Sequence, residues 1–380
     1  MSGIYIHIPF CRKKCHYCNF FSTPSGKHRD AFVPALIKEI VQQKAYLEEA
    51  ITTIYFGGGT PSLLSSDQIN RIVDAIFDNY DVSDKPEITL EANPDDINAE
   101  KIKELKHTMV NRMSVGVQSF YANDLKYLNR THEENQSEYT IKSLQDAGFA
   151  NLSIDLIYGA PSLGMGHWKE NLRRTVEYQV PHISAYALTV EPNTNLEVLI
   201  SKQKLAAVSE AETVNQFKYL MSFLREQGFI HYEISNFCLT GFESKHNSAY
   251  WDGTPYLGVG PSAHSYNKIS RQWNVANLDK YIASIGENEI PFEKEELTKI
   301  QKHDEYIMTS LRTNKGINLD FVKSEFGDLY NNSLIKKLKK YENSDWLEVT
   351  KQNVSLTDEG KLFADLISSE LFMNEEPLRH

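Results

Sequence analysis

The sequence predicts an α/β fold, a partial (β/α)6 barrel followed by a smaller α-rich (α+β) domain. Three observations carry that prediction. Short β-branched and aromatic runs alternate with longer amphipathic ones through about the first 200 residues, the pattern of parallel βαβ units. The strand-like runs carry polar residues at or near their C-terminal ends, where a barrel keeps its ligand site. Past that point the alternation stops, and from about residue 291 the chain is charged and helical.

Taken in order, strands are expected over residues 4–8, 53–56, 87–91, 112–117, 151–157 and 182–188. Helices are expected between them over 28–50, 67–79, 99–108, 135–147 and 166–178. Ser66-Asp67 reads as a helix start and Gly148 as a helix C-cap. A long helix over 208–227 and a short strand over 230–234 follow. The stretch 238–266 is rich in Gly, Ser and aromatic residues. The tail holds a basic run at 336–340, read as a solvated helix face, and a β-hairpin near 346–356. This divides the chain into a barrel (1–235), a connecting segment (236–290) and a C-terminal domain (291–380).

A chain of 380 residues has ample length for a sizeable core. Its net charge of −11 argues against a general nucleic-acid binder. No run of about 18 apolar residues is present, so no membrane span is expected. The N-terminus lacks the basic region and long apolar stretch of a secretory signal. There are four cysteines, three of them within eight positions, which points to metal ligation in a reducing compartment rather than to disulfides. A cytoplasmic protein is expected. Cys238 is isolated and reads as a small buried hydrophobe.

Cys11, Cys15 and Cys18 form a C-x3-C-x2-C run directly after the first strand, in the first βα loop. Three thiolates can hold three irons of a [4Fe–4S] cube, whose usual complement is four, leaving one iron open. The same cysteines with His16 or His7 could instead hold zinc. The second strand runs into Gly57-Gly58-Gly59-Thr60-Pro61, a bare backbone that a polar ligand can approach closely. No Walker A or dinucleotide-binding spacing accompanies it. Glu91 closes the third strand, Gln118 ends the fourth and Asp155 sits in the fifth. A carboxylate in an apolar strand is costly unless it is paired or meets a ligand. Arg130 could neutralise a bound carboxylate with its forked donors.

The cysteine run, the Gly-Gly-Gly-Thr-Pro loop and the segment Gly116-Val117-Gln118-Ser119-Phe120 resemble the radical S-adenosylmethionine (SAM) superfamily. Within it they are most similar to the oxygen-independent coproporphyrinogen III oxidases and the HemW haem chaperones. The resemblance covers about residues 1–270 strongly and the rest more loosely. It implies a radical-SAM barrel with a HemN-like C-terminal domain. SAM would chelate the open iron, and one-electron reduction would cleave it to methionine and a 5′-deoxyadenosyl radical. By the same resemblance Cys11, Cys15 and Cys18 hold the cluster, and Tyr5 and Tyr17 contact SAM, Tyr17 near the adenine. Gly58, Gly59 and Thr60 line its methionine end, and Glu91 holds its amino or ribose side. Gln118, Arg130 and Asp155 match residues that contact a second SAM in the oxidases.

Two departures separate the branches. The oxidases carry tens of residues before the cluster loop and a further cysteine just after it; here the loop starts at residue 11, and Phe20 stands at the cysteine's position. The run His246-Asn247-Ser248-Ala249-Tyr250-Trp251 resembles a HemW hallmark, which makes His246 a candidate haem contact and His264 a weaker one. The expected function is therefore a haem chaperone that binds haem, a [4Fe–4S] cluster and SAM, and passes haem to an acceptor protein. An electron donor such as flavodoxin or ferredoxin is an implied partner. The alternative is a coproporphyrinogen III dehydrogenase, with a radical-SAM enzyme on an unrelated substrate more distant. No catalytic side chain is assigned.

Overall fold

A computed structural model describes residues 1–24 and 28–373. Six parallel strands stand where the sequence places them: β1 (Ser2–Ile8), β2 (Ile51–Gly58), β3 (Val82–Ala92), β4 (Arg112–Gln118), β5 (Leu152–Tyr158) and β6 (His182–Ala187). They pair in chain order, Ile4 opposite Ile54 and Ile54 opposite Ile88. Side chains alternate across a strand, so each strand has two faces. Ile4, Ile6, Ile54, Phe56, Ile88, Leu90, Ile154 and Leu156 share one face and are fully buried in the main core. The intervening positions carry Tyr5, His7, Tyr55, Glu91, Ser114, Asp155 and Ser184, so the other face is polar and aromatic. That polar face is the side of the sheet available to a ligand.

Residues 236–290, read from sequence as a connecting segment, extend the same sheet. At one edge β7 (Ile230–Glu233) and β8 (Asn236–Cys238) form an antiparallel pair, and β8 joins β6. At the other edge β9 (Tyr256–Val259) lies parallel to β1, followed by antiparallel β10 (His264–Tyr266), β11 (Ser270–Asn274) and β12 (Phe292–Glu296). The result is an open, mixed sheet of twelve strands. A buried carboxylate fixes this extension to the barrel. Glu39, on helix Arg29–Gln42, accepts from Gly260 N–H at 2.8 Å, Asn274 Nδ2 at 2.6 Å and Tyr281 OH at 2.5 Å.

Two local expectations change. The helix expected over 28–50 ends at Gln42, because the chain must reverse to start β2 at Ile51 beside Ser2. Eight more helical residues would carry it about 12 Å further along the axis. The helix expected from residue 67 is capped by Ser65, which forms a capping box with Gln68. Gly148 follows the helix Glu134–Asp146 at the expected cap, its N–H reaching Gln145 O. Cys238 is fully buried, as its isolation predicted.

A second apolar core runs from Ile307 to Met373. It is built by helices Lys299–Leu311, Leu319–Phe326, Asp328–Leu338 and Ala364–Leu371 around a three-stranded sheet. The expected hairpin is present as Leu347–Val349 paired with Asn353–Leu356. Within the basic run, Lys340 pairs with Glu370 and Lys337 bonds Phe372 O, so those two tether the last helix. No helix of the described residues is long and apolar enough to cross a membrane. Trp168 is fully buried and donates its indole N–H to Gln216 O at 2.9 Å. Trp168→Ala is expected to cost about 3–5 kcal/mol, seen as a lower urea midpoint with an unchanged slope.

Candidate functional site

The cysteine loop leaves β1 at Ile8 and has no regular structure of its own. Its stem is closed by Cys11 N–H to Thr23 O at 3.1 Å and Thr23 N–H to Pro9 O at 2.7 Å. Its middle is docked on the segment that follows β4. His16 N–H donates to Leu128 O, His16 Nδ1 lies 3.0 Å from Tyr127 O, and Asn129 Nδ2 donates to Lys14 O at 2.8 Å. Arg130 completes the attachment. Its Nη1 reaches Cys15 Sγ at 3.4 Å, and its Nη2 donates to Asn93 Oδ1 at 2.6 Å and Gly116 O at 2.8 Å.

The glycine loop packs directly against this cysteine loop. A Cβ on Gly59 would meet Phe10 O at 2.6 Å and Cys11 Sγ at 3.1 Å. Gly58 has φ +102° and lies against the His7 ring. These glycines therefore serve close packing of two loops as well as an open approach for a ligand.

A cavity of about 440 Å³ opens between these loops and the C-terminal ends of the strands. Cys11, Cys15, Cys18, Tyr17, Gly58, Gly59, Thr60, Glu91, Gln118, Arg130 and Asp155 all line it. Two expected residues do not. Tyr5 lies behind Gly57, its hydroxyl 3.2 Å from His7 Nδ1. His246 is buried beneath the strands, its Nδ1 2.8 Å from Thr53 Oγ1, its Nε2 3.1 Å from Tyr250 OH and its ring stacked on Tyr55. Each ring nitrogen of His246 thus has a hydroxyl within hydrogen-bond distance. His264 is exposed and stacks on Trp273.

Neither histidine of the zinc alternative lines the cavity, and both ring nitrogens of His7 are engaged, Nε2 with Phe21 O at 2.8 Å. Among the described residues no group of three or more His, Cys, Asp or Glu side chains is placed to hold one metal ion. A zinc site needs its ligands converged on one point, whereas each cysteine of a cube takes its own iron. Three partly exposed thiols around one cavity therefore fit the cube. Burial raises the thiols of Cys11 and Cys18, the latter to about 11, so any metal bound there would have to displace their protons.

Burial also governs the carboxyls. Glu91 is pushed up to about 7 by desolvation, although Tyr55 OH donates to its Oε1 at 2.8 Å. Asp155 is pushed up to about 6 by desolvation, against hydrogen bonds from Ser184 and Ser114. Gln118 lines the same wall in a left-handed conformation, φ +65°. Such strain in a non-glycine residue is characteristic of ligand sites.

Comparison with known proteins decides the family. The radical SAM superfamily profile matches residues 5–175, and the HemN C-terminal domain profile matches residues 297–363. The heme chaperone HemW of Lactococcus lactis is 36% identical over 363 residues, 94% of each chain. That of Bacillus subtilis is 34% identical over 373 residues, 96% of this chain and 97% of its own. The chain belongs to the HemW/HemN family of radical SAM proteins. Its fold matches Escherichia coli coproporphyrinogen III oxidase (HemN) with a TM-score of 0.84 at 22% identity, over 98% of this chain and 90% of that one.

In this HemW/HemN-family chain several lining residues went unremarked at the sequence level. Asn93 receives Arg130 and donates to Thr60 Oγ1 at 3.2 Å; its signal was a polar residue after Glu91 and before a proline. Tyr186 gave no separate signal, because an aromatic at a strand position reads as core. Phe20 stands 59% exposed at the cavity rim.

The raised carboxyls set a pH dependence. Folded Glu91 holds a proton that the unfolded chain releases at ordinary carboxylate pH, so its contribution destabilises the fold as pH rises from about 4.5 through about 7. Urea denaturation of the ligand-free protein at pH 5 and pH 8 should show stability lost on the alkaline side. Glu91→Gln should recover up to about 3 kcal/mol of that loss. An identical pH dependence in the variant would contradict the assignment.

Proposed function

We propose that this chain binds haem and passes it to an acceptor protein, and that it holds a [4Fe–4S] cluster and SAM in the strand-end cavity. The observation carrying the cofactor part is convergence: residues from the loops or ends of six strands meet at one cavity with three thiols. The haem part is supported by relatives named heme chaperones that align over nearly the whole chain.

In this proposal Cys11, Cys15 and Cys18 hold three irons. Gly58, Gly59, Thr60 and Glu91 hold the amino-acid end of SAM, whose ammonium suits an ionised Glu91. Tyr17 packs by the adenine, with Tyr5 behind the glycine loop. Gln118, Arg130 and Asp155 supply the remaining polar wall. When bound, the cluster and SAM supply one-electron reductive chemistry. Arg130 and the Tyr127–Asn129 carbonyl and amide contacts keep the cysteine loop in place.

Phe20 favours haem handling over porphyrinogen decarboxylation, since it offers neither a ligand nor a thiol. Anaerobic incubation with coproporphyrinogen III, SAM and a reductant should yield no protoporphyrinogen, while the same sample takes up haem stoichiometrically. Robust protoporphyrinogen formation would overturn the chaperone assignment. Reconstitution with iron and sulfide should give a brown protein whose broad visible absorbance is lost in Cys15→Ser. Colourless protein holding one tight zinc would instead reject the cluster.

A further inference from the structure

A line of polar side chains runs down the inner face of the sheet from the strand-end cavity. Ser153 of β5 lies opposite His182 of β6, and Asp155 lies opposite Ser184, so these four side chains share one face. Of the four, Asp155 lines the cavity. Ser153, His182 and Ser184 lie behind it, buried at 0%, 1% and 5% exposure. Polar groups taken so far from water are costly unless they bond to one another.

The direction of the hydrogens along this line follows from its far end. Burial and the charge of Arg112 hold His182 well below its ordinary value, so the ring is neutral and carries one N–H. Tyr232 OH lies 2.7 Å from His182 Nε2, and Ser244 N–H donates to the same hydroxyl at 3.4 Å. A backbone N–H can only donate, so the tyrosine hydrogen goes to Nε2 and the ring proton sits on Nδ1. Nδ1–H then donates to Ser153 Oγ at 2.7 Å. The hydrogen of Ser153 is left for Ser184 Oγ at 3.5 Å, the loosest link, and Ser184 bonds Asp155. Every hydrogen in the line points towards the Asp155 carboxylate.

Donors aligned on a carboxylate favour its charged form. Asp155 needs that support, because burial opposes its ionisation and Glu91 repels it from β3. Arg112 and Arg130 act in its favour, and Ser114 of β4 donates to its Oδ1 at 3.3 Å. Tyr55 and Tyr186 are the other titratable groups that face it.

We propose that His182 and Ser153 are positioning residues that hold Asp155 as an oriented, ionised acceptor for a cationic group of the ligand in the strand-end cavity. That the cationic group belongs to SAM rests on the function proposed above. The alignment of the line on Asp155 does not.

The test is urea denaturation of the ligand-free protein between pH 5 and pH 8. A carboxyl raised in the folded state destabilises the fold as pH rises from its unfolded value through its folded one, so cutting the line should deepen that loss. Ser153→Ala should enlarge the change in unfolding constant between the two pH values about tenfold, the equivalent of about one pH unit in Asp155. His182→Leu should act in the same way, and whichever of the two folds carries the test. In an Asp155→Asn background the same substitution should leave the pH dependence unchanged, since a purely structural cost does not depend on that carboxyl. A folded variant with the wild-type pH dependence, or a change that persists with Asp155→Asn, overturns the positioning role. With the cluster reconstituted, SAM affinity in the variant should begin to fall at a higher pH than in wild type. Wild-type protein that binds no SAM overturns the function above and leaves the result on ligand-free protein standing.

Discussion

One half-buried guanidinium holds the candidate site together. Arg130 spans the cysteine loop, the end of β3 and the backbone of β4 through Cys15, Asn93 and Gly116. The cysteine loop has no helix or strand to define it, so its shape depends on such outside contacts. Arginine suits the role because it stays charged at any working pH and its donors lie in a rigid fork. Taking that charge out of water is expensive. The geometry offsets the cost by giving the two terminal nitrogens carbonyl, amide and thiol partners at once.

The polar face of the sheet explains where the strand-end cavity lies. Alternation along β1–β6 sends the apolar side chains into the main core and leaves tyrosines, histidines, serines and carboxylates facing the other way. At the C-terminal ends this face meets the cysteine loop. Deeper in, Tyr5, Tyr55 and His246 stack and close the interior.

The six parallel strands and most of the strand-end site were legible in the sequence because period-two patterning and strand-end polarity are local signals. Cys11 to Cys18, Glu91, Gln118 and Asp155 reach one cavity for the reason their positions implied. β9 to β12 were not legible, since strands of three to five residues beside Gly258 and Gly260 look like irregular chain. The orientation of His246 was not legible either. Sequence states which side chain is present, but not which way a short helix turns it. Here that turn put the ring against Thr53 and Tyr250.

Glu39 limits how the molecule can be cut. Its carboxylate is wholly enclosed, and the donors that satisfy it come from Gly260, Asn274 and Tyr281, far along the chain. A fragment ending at the close of the sixth βα unit would keep the acceptor and discard those donors, leaving a desolvated acid facing an exposed edge of β1. The smallest autonomous unit therefore reaches at least the helix Leu278–Gly286. Within this chain the barrel is not a module that could be trimmed or transplanted without its late strands.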